Sequence, residues 1–204
     1  MKLSAPISSI PKGAACVLEK TGLEQLTPLG HANPETTTIG AITITERVDT
    51  ALASLAIRRG RAADVTAAAA LAGIPLPPPG RHDSQTLAAF WLSPDMWMIE
   101  APFATHQDIR TSLLTIFHDA ASITEQTDAW IRLDLTANDL PSLMERLCNT
   151  DLRAAPAGHA TRTVIDHLGC YLIKHSATDI TLYGPRSSAE TLHHALTVAA
   201  QSLV

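Results

Sequence analysis

The stretch AAFWLSPDMWMIEAP (residues 88–102) holds two of the three tryptophans of a 204-residue chain in which only 4% of the residues are aromatic. Pro94 and Asp95 stand between two apolar runs, which is typical of a turn joining two antiparallel strands. Alternate side chains of a strand point to opposite faces, so Trp91 lies with Ala89 and opposite Phe90, Trp97 lies with Ile99 and opposite Met98, and both faces of the pair are apolar. The stretch therefore predicts a hairpin covered on both sides, by helices on one and by the other half of the domain or a partner protein on the second.

A ligand-stacking role for these tryptophans would require convergent polar groups around an open cleft. The sequence shows no such groups near them. We therefore interpret Trp91 and Trp97 as core or interface residues.

Composition limits the possible functions. The net charge is −5 and the pI about 5.9, which disfavours binding to a phosphate backbone. The arginines that cluster in sequence are read as a solvated strand end: Arg58, Arg59, Arg61 and Arg81. The cysteines are odd in number and have no motif spacing, as in a reduced compartment: Cys16, Cys148 and Cys170. Without a secretory signal or an apolar run of membrane length, we expect a cytoplasmic protein with neither nucleic acid nor membrane as a partner.

Hydrophobic periodicity predicts the elements of a first half. Residues 1–38 are rich in Pro, Gly, Ser and Thr and predict an irregular arm. Residues 41–48 alternate like a half-buried strand, and 51–58 continue as a second strand or a short helix. Residues 61–73 predict an alanine-rich helix that ends at Gly73. After a loop over 74–84 and the hairpin, Thr105 is the expected N-cap of an amphipathic helix with Asp108 in its first turn.

The second half repeats this order. Residues 129–135 predict a strand, and the run beginning at 138 predicts a helix with Pro141 in its first turn. Residues 161–175 read as one long or bulged strand around Gly169, and 179–185 as its antiparallel neighbour. Ser187 and Glu190 predict a capping box for a C-terminal helix.

Together these elements predict an α+β fold. Two β-α-β-β-α pseudo-repeats, at about 41–118 and 129–203, share one antiparallel-rich sheet with helices on one face, within a single domain over 39–204.

The residues themselves predict no active site. Neither the adjacent pair His193 and His194 nor the more widely spaced histidines have metal-ligand spacing, the latter being His159, His167 and His175. The best nucleophilic set would be Cys148 with Asp166 and His167, but adjacent strand residues point to opposite faces. No nucleotide-binding or nucleophile-elbow motif occurs. We expect no catalytic, cofactor-binding or metal-binding residues.

Several segments resemble, in order, those of the gamma subunit family of heterotetrameric sarcosine oxidase. They are LTPLGHA, GIPLPPPG, FWLSPDMWMIE, TDAWIRLDL, LMERLCNTDLR, ATRTVIDHLGCYL and GPRSSAETLHHAL. The resemblance runs from about residue 26 to the end of the sequence. Its most specific parts are the W-L-x-P-D-x-W-x hairpin, the T-D-L element and the R-S-x-A opening of the last helix.

The resemblance implies a fold similar to the folate-binding domain of the glycine-cleavage T-protein. It also implies a structural subunit, without its own active site, of a flavoenzyme complex that oxidatively demethylates sarcosine. Its partners would be the alpha, beta and delta subunits, chiefly alpha, and these would carry FAD, FMN, NAD, tetrahydrofolate and zinc. Thr136-Ala137-Asn138 replaces the Gly-Pro pair common in relatives, which puts an inherited ligand site on that loop in doubt.

Two alternatives stay open. The chain is similar in the same way to subunits of N-methylglutamate dehydrogenase complexes, and nothing in the sequence separates the two substrates. A stand-alone folate-binding protein of the T-protein type would need a deep pocket with a buried carboxylate, for which the sequence offers Asp134 and Asp151.

Overall fold

The computed structural model describes residues 25–204, and these residues form four layers. Two antiparallel sheets pack face to face, and helices cover the outer face of each sheet. None of the helices described within these residues is long and apolar enough to cross a membrane.

The first sheet, called sheet I, contains the hairpin with which the sequence analysis began. Its strands follow the order β4-β5-β6-β3-β7, and every neighbouring pair is antiparallel. Their bounds are β3 (Thr50–Ile57), β4 (His82–Ser84), β5 (Ala88–Ser93), β6 (Met96–Pro102) and β7 (Ala121–Glu125).

The second sheet, sheet II, has the order β1-β2-β8-β11-β10-β9 and is also antiparallel throughout. Its strands are β1 (Thr36–Ile39), β2 (Ile42–Arg47), β8 (Trp130–Thr136), β9 (His159–Ile165), β10 (Leu168–Lys174) and β11 (Asp179–Pro185).

Within residues 25–204, four α-helices form the outer layers: α1 (Ala62–Ala72), α2 (Ile109–Phe117), α3 (Leu140–Met144) and α4 (Ala189–Gln201). Helices α1 and α2 pack on sheet I, whereas α3 and α4 pack on sheet II. Gly73 ends α1 in the left-handed conformation with φ 65°, as the sequence predicts.

The two faces of the β5–β6 hairpin lie in two different cores. Trp97, with Trp91 paired directly opposite, packs towards the helices of sheet I, and the Trp97 Nε1 donates to the carbonyl oxygen of Pro77 at 2.8 Å. Phe90 and Met98 lie on the other face, in the apolar layer between the sheets. The other half of the chain therefore covers this second face.

The α+β class and the antiparallel pairing are confirmed, but the expected single shared sheet is replaced by two. The two sheets meet at one edge, where Arg81 and His159 form an isolated antiparallel bridge, but their strands do not merge into one sheet. They stack, because each sheet has one apolar face for its helices and a second apolar face for the opposite sheet.

Residues 161–175 do not form one long strand. Asp166 and His167 have positive φ angles of 47° and 65°, and they turn the chain back so that β9 and β10 pair as a hairpin. Two consecutive positive φ values suit the tight turn of a two-residue hairpin. The sequence did not reveal this turn because neither position is Gly or Asn.

Other local predictions are corrected by capping and pairing. Asp108, not Thr105, caps α2 and accepts a hydrogen bond from the backbone of Thr111. The N-cap of α4 is Ser188, whose side chain makes no capping hydrogen bond, so the predicted capping box at Ser187 is wrong. The segment 74–84 contains the short strand β4, and β7 follows α2 unpredicted.

An internal repeat is visible in the strand order. The series β3-α1-β4-β5-β6-α2 corresponds to β8-α3-β9-β10-β11-α4, and each set of strands has the same neighbours in its sheet. A fifth strand extends each set, β7 in sheet I and β2 in sheet II. Because β2 belongs to the sheet of the second series, the expected boundaries of 41–118 and 129–203 do not follow the structure.

The expected arm at 1–38 lies partly outside the described residues. Within 25–35 the chain is irregular, and the buried carboxylate of Glu46 accepts hydrogen bonds from the backbone of Leu29 at 2.9 Å and of Glu35 at 3.1 Å. Strand β1 begins at Thr36, inside the range expected to be irregular.

Replacing Phe90 by Ala would test the layer between the sheets. Phe90 is fully buried and its ring stacks on Tyr183 with centroids 5.7 Å apart. We expect the free energy of unfolding to fall by about 3–5 kcal/mol in urea denaturation. Leu71→Ala is the control, since Leu71 is 92% exposed and its loss should cost under about 0.5 kcal/mol. Equal losses for the two variants would contradict the assigned core.

Replacing His167 by Gly would test the β9–β10 turn. A non-glycine residue at φ 65° is strained, and glycine relieves that strain at some cost in unfolded-state entropy. We expect a net gain of about 0.5–1 kcal/mol in the free energy of unfolding. A net loss would show that the His167 side chain contributes more than its backbone conformation costs.

Candidate binding cleft between the two sheets

The apolar layer between the sheets becomes polar towards one edge. Met98 and Glu100 are two residues apart on β6 and therefore point to the same face, into the space between the sheets. Glu100 is buried, although it is the only charged residue of its strand. A buried charge requires partners, and the opposite sheet supplies one of them.

Glu100 connects sheet I to sheet II through both carboxylate oxygens. Oε1 accepts a hydrogen bond from the hydroxyl of Tyr183 on β11, and Oε2 lies 3.0 Å from Nε2 of His82 on β4. Tyr183 is itself fully buried. The carboxylate therefore joins strands of both sheets at one point.

A second chain of hydrogen bonds begins at Arg132 on β8. Its guanidinium binds both oxygens of Asp134, at 2.9 and 3.0 Å, and Nη1 donates to Thr50 Oγ1 of sheet I at 2.8 Å. The hydroxyl of Thr181 donates to Asp134 at 2.6 Å, and Nε2 of His175 lies 2.9 Å from that hydroxyl.

These contacts determine the protonation of the buried groups. Burial by itself raises the pKa of Glu100, but the hydrogen bond and charge of His82, the Tyr183 hydroxyl and the charge of Arg132 outweigh burial and hold this pKa below its usual value. Burial and the charge of Glu100 raise the pKa of Tyr183 well above its usual value. The proton therefore stays on the phenol, and Glu100 is ionised at neutral pH.

Two clefts open beside the network and share Arg47, Thr50 and Arg132 in their walls. The first, of about 520 Å³, has an aromatic and apolar wall formed by Leu52, Phe103, Trp130 and Tyr183. The second, of about 530 Å³, is polar and is lined by His82, Glu100 and His175. Both volumes are in the usual range for small-molecule sites.

The arginines at the clefts are already paired. Arg132 binds Asp134, and Arg47 contacts Asp49. The basic residues singled out in the sequence are engaged elsewhere: Arg61 contacts Asp64 and Asp119, and Arg81 donates to the Ala157 carbonyl oxygen. The clefts are therefore less cationic than their arginines suggest.

Most candidate residues from the sequence are not brought together. Asp166 and His167 are turn residues between β9 and β10, and Cys148 packs half-buried beside the core under sheet II. Burial raises the pKa of Cys170 to about 11, so this thiol is a poor nucleophile. Asp151 caps a turn by accepting from the backbone of Arg153 and the next residue.

Other candidates have structural partners. His193 lies 3.0 Å from the Thr37 hydroxyl, while Asp134 and His175 belong to the polar network. Within residues 25–204, no group of three or more His, Cys, Asp or Glu side chains could hold a metal ion.

Sequence reasoning missed the centre of the network. Glu100 and His82 lie 18 residues apart, and Tyr183 comes from the other sheet. One signal was present: the lone charge in the apolar run MWMIEAP falls on the same strand face as Met98. A charge at a core-facing position requires a buried partner.

Comparisons with solved structures place the fold in a known class. The chain is similar to a chain of heterotetrameric sarcosine oxidase from Corynebacterium sp. U-96, solved in complex with pyrrole 2-carboxylate. The TM-score is 0.68 at 21% identity, covering 82% of this chain and 88% of that one. No protein-family model and no curated protein matches the sequence.

A second similarity is to the glycine cleavage system aminomethyltransferase T from Bartonella henselae. The TM-score is 0.57 at 11% identity, covering 76% of this chain but only 48% of that one. The chain therefore has the fold shared by these two proteins and spans about half the length of the second.

Replacing Tyr183 by Phe would test the link between the sheets. The change leaves ionised Glu100 without one of its buried donors, so we expect the free energy of unfolding at pH 7 to fall by about 1.5–3 kcal/mol. Tyr171→Phe is the matched control, because its half-buried ring also contacts Phe90 and its loss should cost under about 0.5 kcal/mol.

The same pair of proteins has a predictable pH dependence. A carboxyl group whose pKa is lowered by folding stabilises the protein above its unfolded pKa, and this contribution is lost as the pH falls through the folded value. Because Tyr183 helps to lower the pKa of Glu100, the difference between the native protein and Tyr183→Phe should shrink in urea denaturation at about pH 4. A difference that grows in acid would contradict an ionised Glu100.

Proposed function

We propose that this chain is a structural subunit, without its own active site, of a heterotetrameric sarcosine oxidase, corresponding to the gamma subunit. The complex would oxidatively demethylate sarcosine in the cytoplasm. The observation that carries the proposal is the fold similarity to a chain of such an enzyme over 82% of this chain and 88% of the other. The two coverages imply chains of nearly equal length.

The state of the polar groups supports a structural role. Both oxygens of Glu100 are engaged, Arg132 is paired with Asp134, and Cys170 is buried with a raised pKa. The network uses its charges to join two sheets. Catalytic groups, by contrast, need a free atom aimed at a substrate.

The surface of α1 also supports assembly. Leu71 is 92% exposed, and most of the remaining outward positions of this helix are alanine. Asp64 and Thr66 are the polar exceptions, and the apolar remainder of this face offers contact area to a partner subunit. In the proposed complex the partners are the alpha, beta and delta subunits, chiefly alpha, and these bind FAD, FMN, NAD, tetrahydrofolate and zinc.

The amine oxidised by the complex is a separate question. An N-methylglutamate dehydrogenase with a similar set of subunits would use this chain in the same way, because the substrate would bind elsewhere.

A second candidate function is folate binding by the chain alone. The observation that favours it is the buried carboxylate of Glu100, whose partner Tyr183 also lines the aromatic cleft of about 520 Å³. The sequence candidates for such a carboxylate do not fit: Asp134 lines neither cleft, and Asp151 is exposed.

Assembly with flavoprotein subunits would test the first function. We expect the chain to be colourless alone and, when co-expressed with candidate alpha, beta and delta subunits, to elute with them as one yellow complex. Light scattering with a visible absorption spectrum would measure both properties. A stable chain that elutes apart from the flavoprotein would contradict the proposal.

A folate titration separates the alternatives. Tetrahydrofolate should not change the thermal unfolding of the isolated chain if its role is structural. A rise in Tm with folate concentration, together with failure to assemble, would favour the second function.

A further inference from the structure

Strand β9 forms one edge of sheet II and carries backbone groups that point away from the sheet. Its neighbour in the sheet is β10, and a two-residue turn joins the two strands. In such a hairpin the residues that flank the turn, Ile165 and Leu168, bond to each other, and every second residue of β9 before them also faces β10. The N–H and C=O groups of Arg162 and Val164 therefore point outwards.

The beginning of β9 agrees with this direction. The N–H of Ala160 points outwards too, and it donates to the carbonyl oxygen of Gly80 at 3.0 Å. Arg81 and His159 form the isolated antiparallel bridge beside this bond. The segment that precedes β4 therefore occupies this end of the edge, and residues 161–165 are left open within the described part of the chain.

The outward groups of the open edge are largely without partners. The carbonyl oxygen of Arg162 accepts from the Thr161 hydroxyl at 3.3 Å, a long contact that uses one of its two lone pairs. The N–H of Arg162 and both groups of Val164 form no hydrogen bond within residues 25–204. An edge strand with free groups of this kind is a template for pairing with a further strand.

The side chains of the open edge do not protect it. Val164 is 58% exposed and is the one large apolar side chain that is exposed within a strand of residues 25–204. Its neighbour on β10 is Gly169, which has no side chain to cover it. A charged side chain that points out from an edge usually discourages pairing. The guanidinium of Arg162 instead lies over the sheet, with Nη2 3.4 Å from the position that a β-carbon of Gly169 would take.

The charge of Arg162 indicates what kind of strand fits. Arg162 is exposed and forms no ion pair with a carboxylate of residues 25–204, unlike Arg132 and Arg153. A strand laid beside β9 would place two of its residues, two positions apart, against Arg162 and Val164 on the same face. Opposite charges and apolar pairs stabilise such neighbours. The edge therefore suits an extended segment in which an acidic and an apolar residue are two positions apart.

A second copy of this chain does not fit the edge. A twofold antiparallel pairing that uses both free residues would centre on Thr163, so that Arg162 of one copy faces Val164 of the other. Asp166 of the second copy would then lie opposite Ala160. Gly80 already occupies that place, where it accepts the hydrogen bond from Ala160.

We propose that the open edge of β9 binds an extended segment of a flavoprotein subunit, which adds a seventh strand to sheet II. This segment has an acidic residue facing Arg162 and, two positions away, a β-branched or aromatic residue facing Val164. The inference rests on the proposed function, because it names the surface through which the chain joins its partner.

Hydrogen–deuterium exchange, read at single residues by mass spectrometry, would test the pairing in the full-length chain alone and after co-expression with candidate alpha, beta and delta subunits. In the isolated chain we expect the amides of Arg162 and Val164 to exchange fast, and those of Thr163 and Ile165, which bond to β10, to exchange slowly. In the complex, exchange at Arg162 and Val164 should slow by at least about tenfold.

Variants at Val164 would test the same bond. Val164→Pro removes an outward N–H that β9 does not use within its own sheet. We expect it to weaken assembly at least about tenfold relative to Val164→Thr, which keeps the N–H and the β-branched shape. Thr38→Pro is the matched control, since Thr38 is exposed on β1 at the opposite edge of sheet II and its N–H also points outwards. It should assemble like the native chain.

The outcomes separate this inference from the proposed function. A complex in which the amides of Arg162 and Val164 still exchange fast would overturn the inference alone. So would equal assembly of Val164→Pro and Val164→Thr, or equal weakening by Thr38→Pro. Slow exchange of these two amides in the isolated chain would assign the edge to the chain itself and also overturn it. A native chain that does not assemble contradicts the proposed function and the inference together.

If Val164→Pro fails to fold, as judged by thermal unfolding of the isolated chain, Val164→Arg decides. A second positive charge beside Arg162 should weaken assembly with the proposed acidic segment by at least about tenfold. Unchanged assembly of Val164→Arg would overturn the inference.

Discussion

The buried carboxylate of Glu100 is the constraint on which the relation of the two sheets depends. A charge removed from water is costly unless it is paired, and Glu100 finds a phenol on sheet II and an imidazole on sheet I. Apolar contacts between the sheets are non-directional and would tolerate several relative positions. The hydrogen bonds to Glu100, and those from Arg132 to Thr50, are satisfied in only one of these positions.

The four-layer architecture explains why the strands of this chain form two sheets and not one. Each series of strands lies in its own sheet with a helix layer outside, and the two inner faces bury one another. The fifth strand of sheet II is β2, which precedes both series in the chain. The second series is therefore completed by the N-terminal part, so the two halves are connected through a shared sheet as well as through their contact.

The proposed role agrees with how the polar groups are used. A chain that keeps its charges in pairs between layers gains a defined shape, and shape is what a structural subunit contributes to a complex. The two clefts beside the network show that the same arrangement leaves space at the edge of the interface.

Local features were predictable because they depend on nearby residues. Alternation gave the strand at β8, Gly73 marked the end of α1, and Pro94-Asp95 marked the hairpin turn. The two apolar faces of that hairpin also indicated that something covers each side. The β9–β10 turn was missed because the pair Asp166-His167 lacks the glycine that usually marks a turn with two positive φ angles.

By itself, the sequence determined an antiparallel α+β fold with two similar halves, since the hydrophobic period and the turn-forming residues are properties of short segments. Only the tertiary structure decided that the halves stack as two sheets, and that Glu100, Tyr183, His82 and His175 meet between them. Strand pairing and sheet stacking bring together residues that are far apart in the chain. Which strands pair and which faces stack depends on how much apolar surface the complete fold buries, and no single segment determines that area.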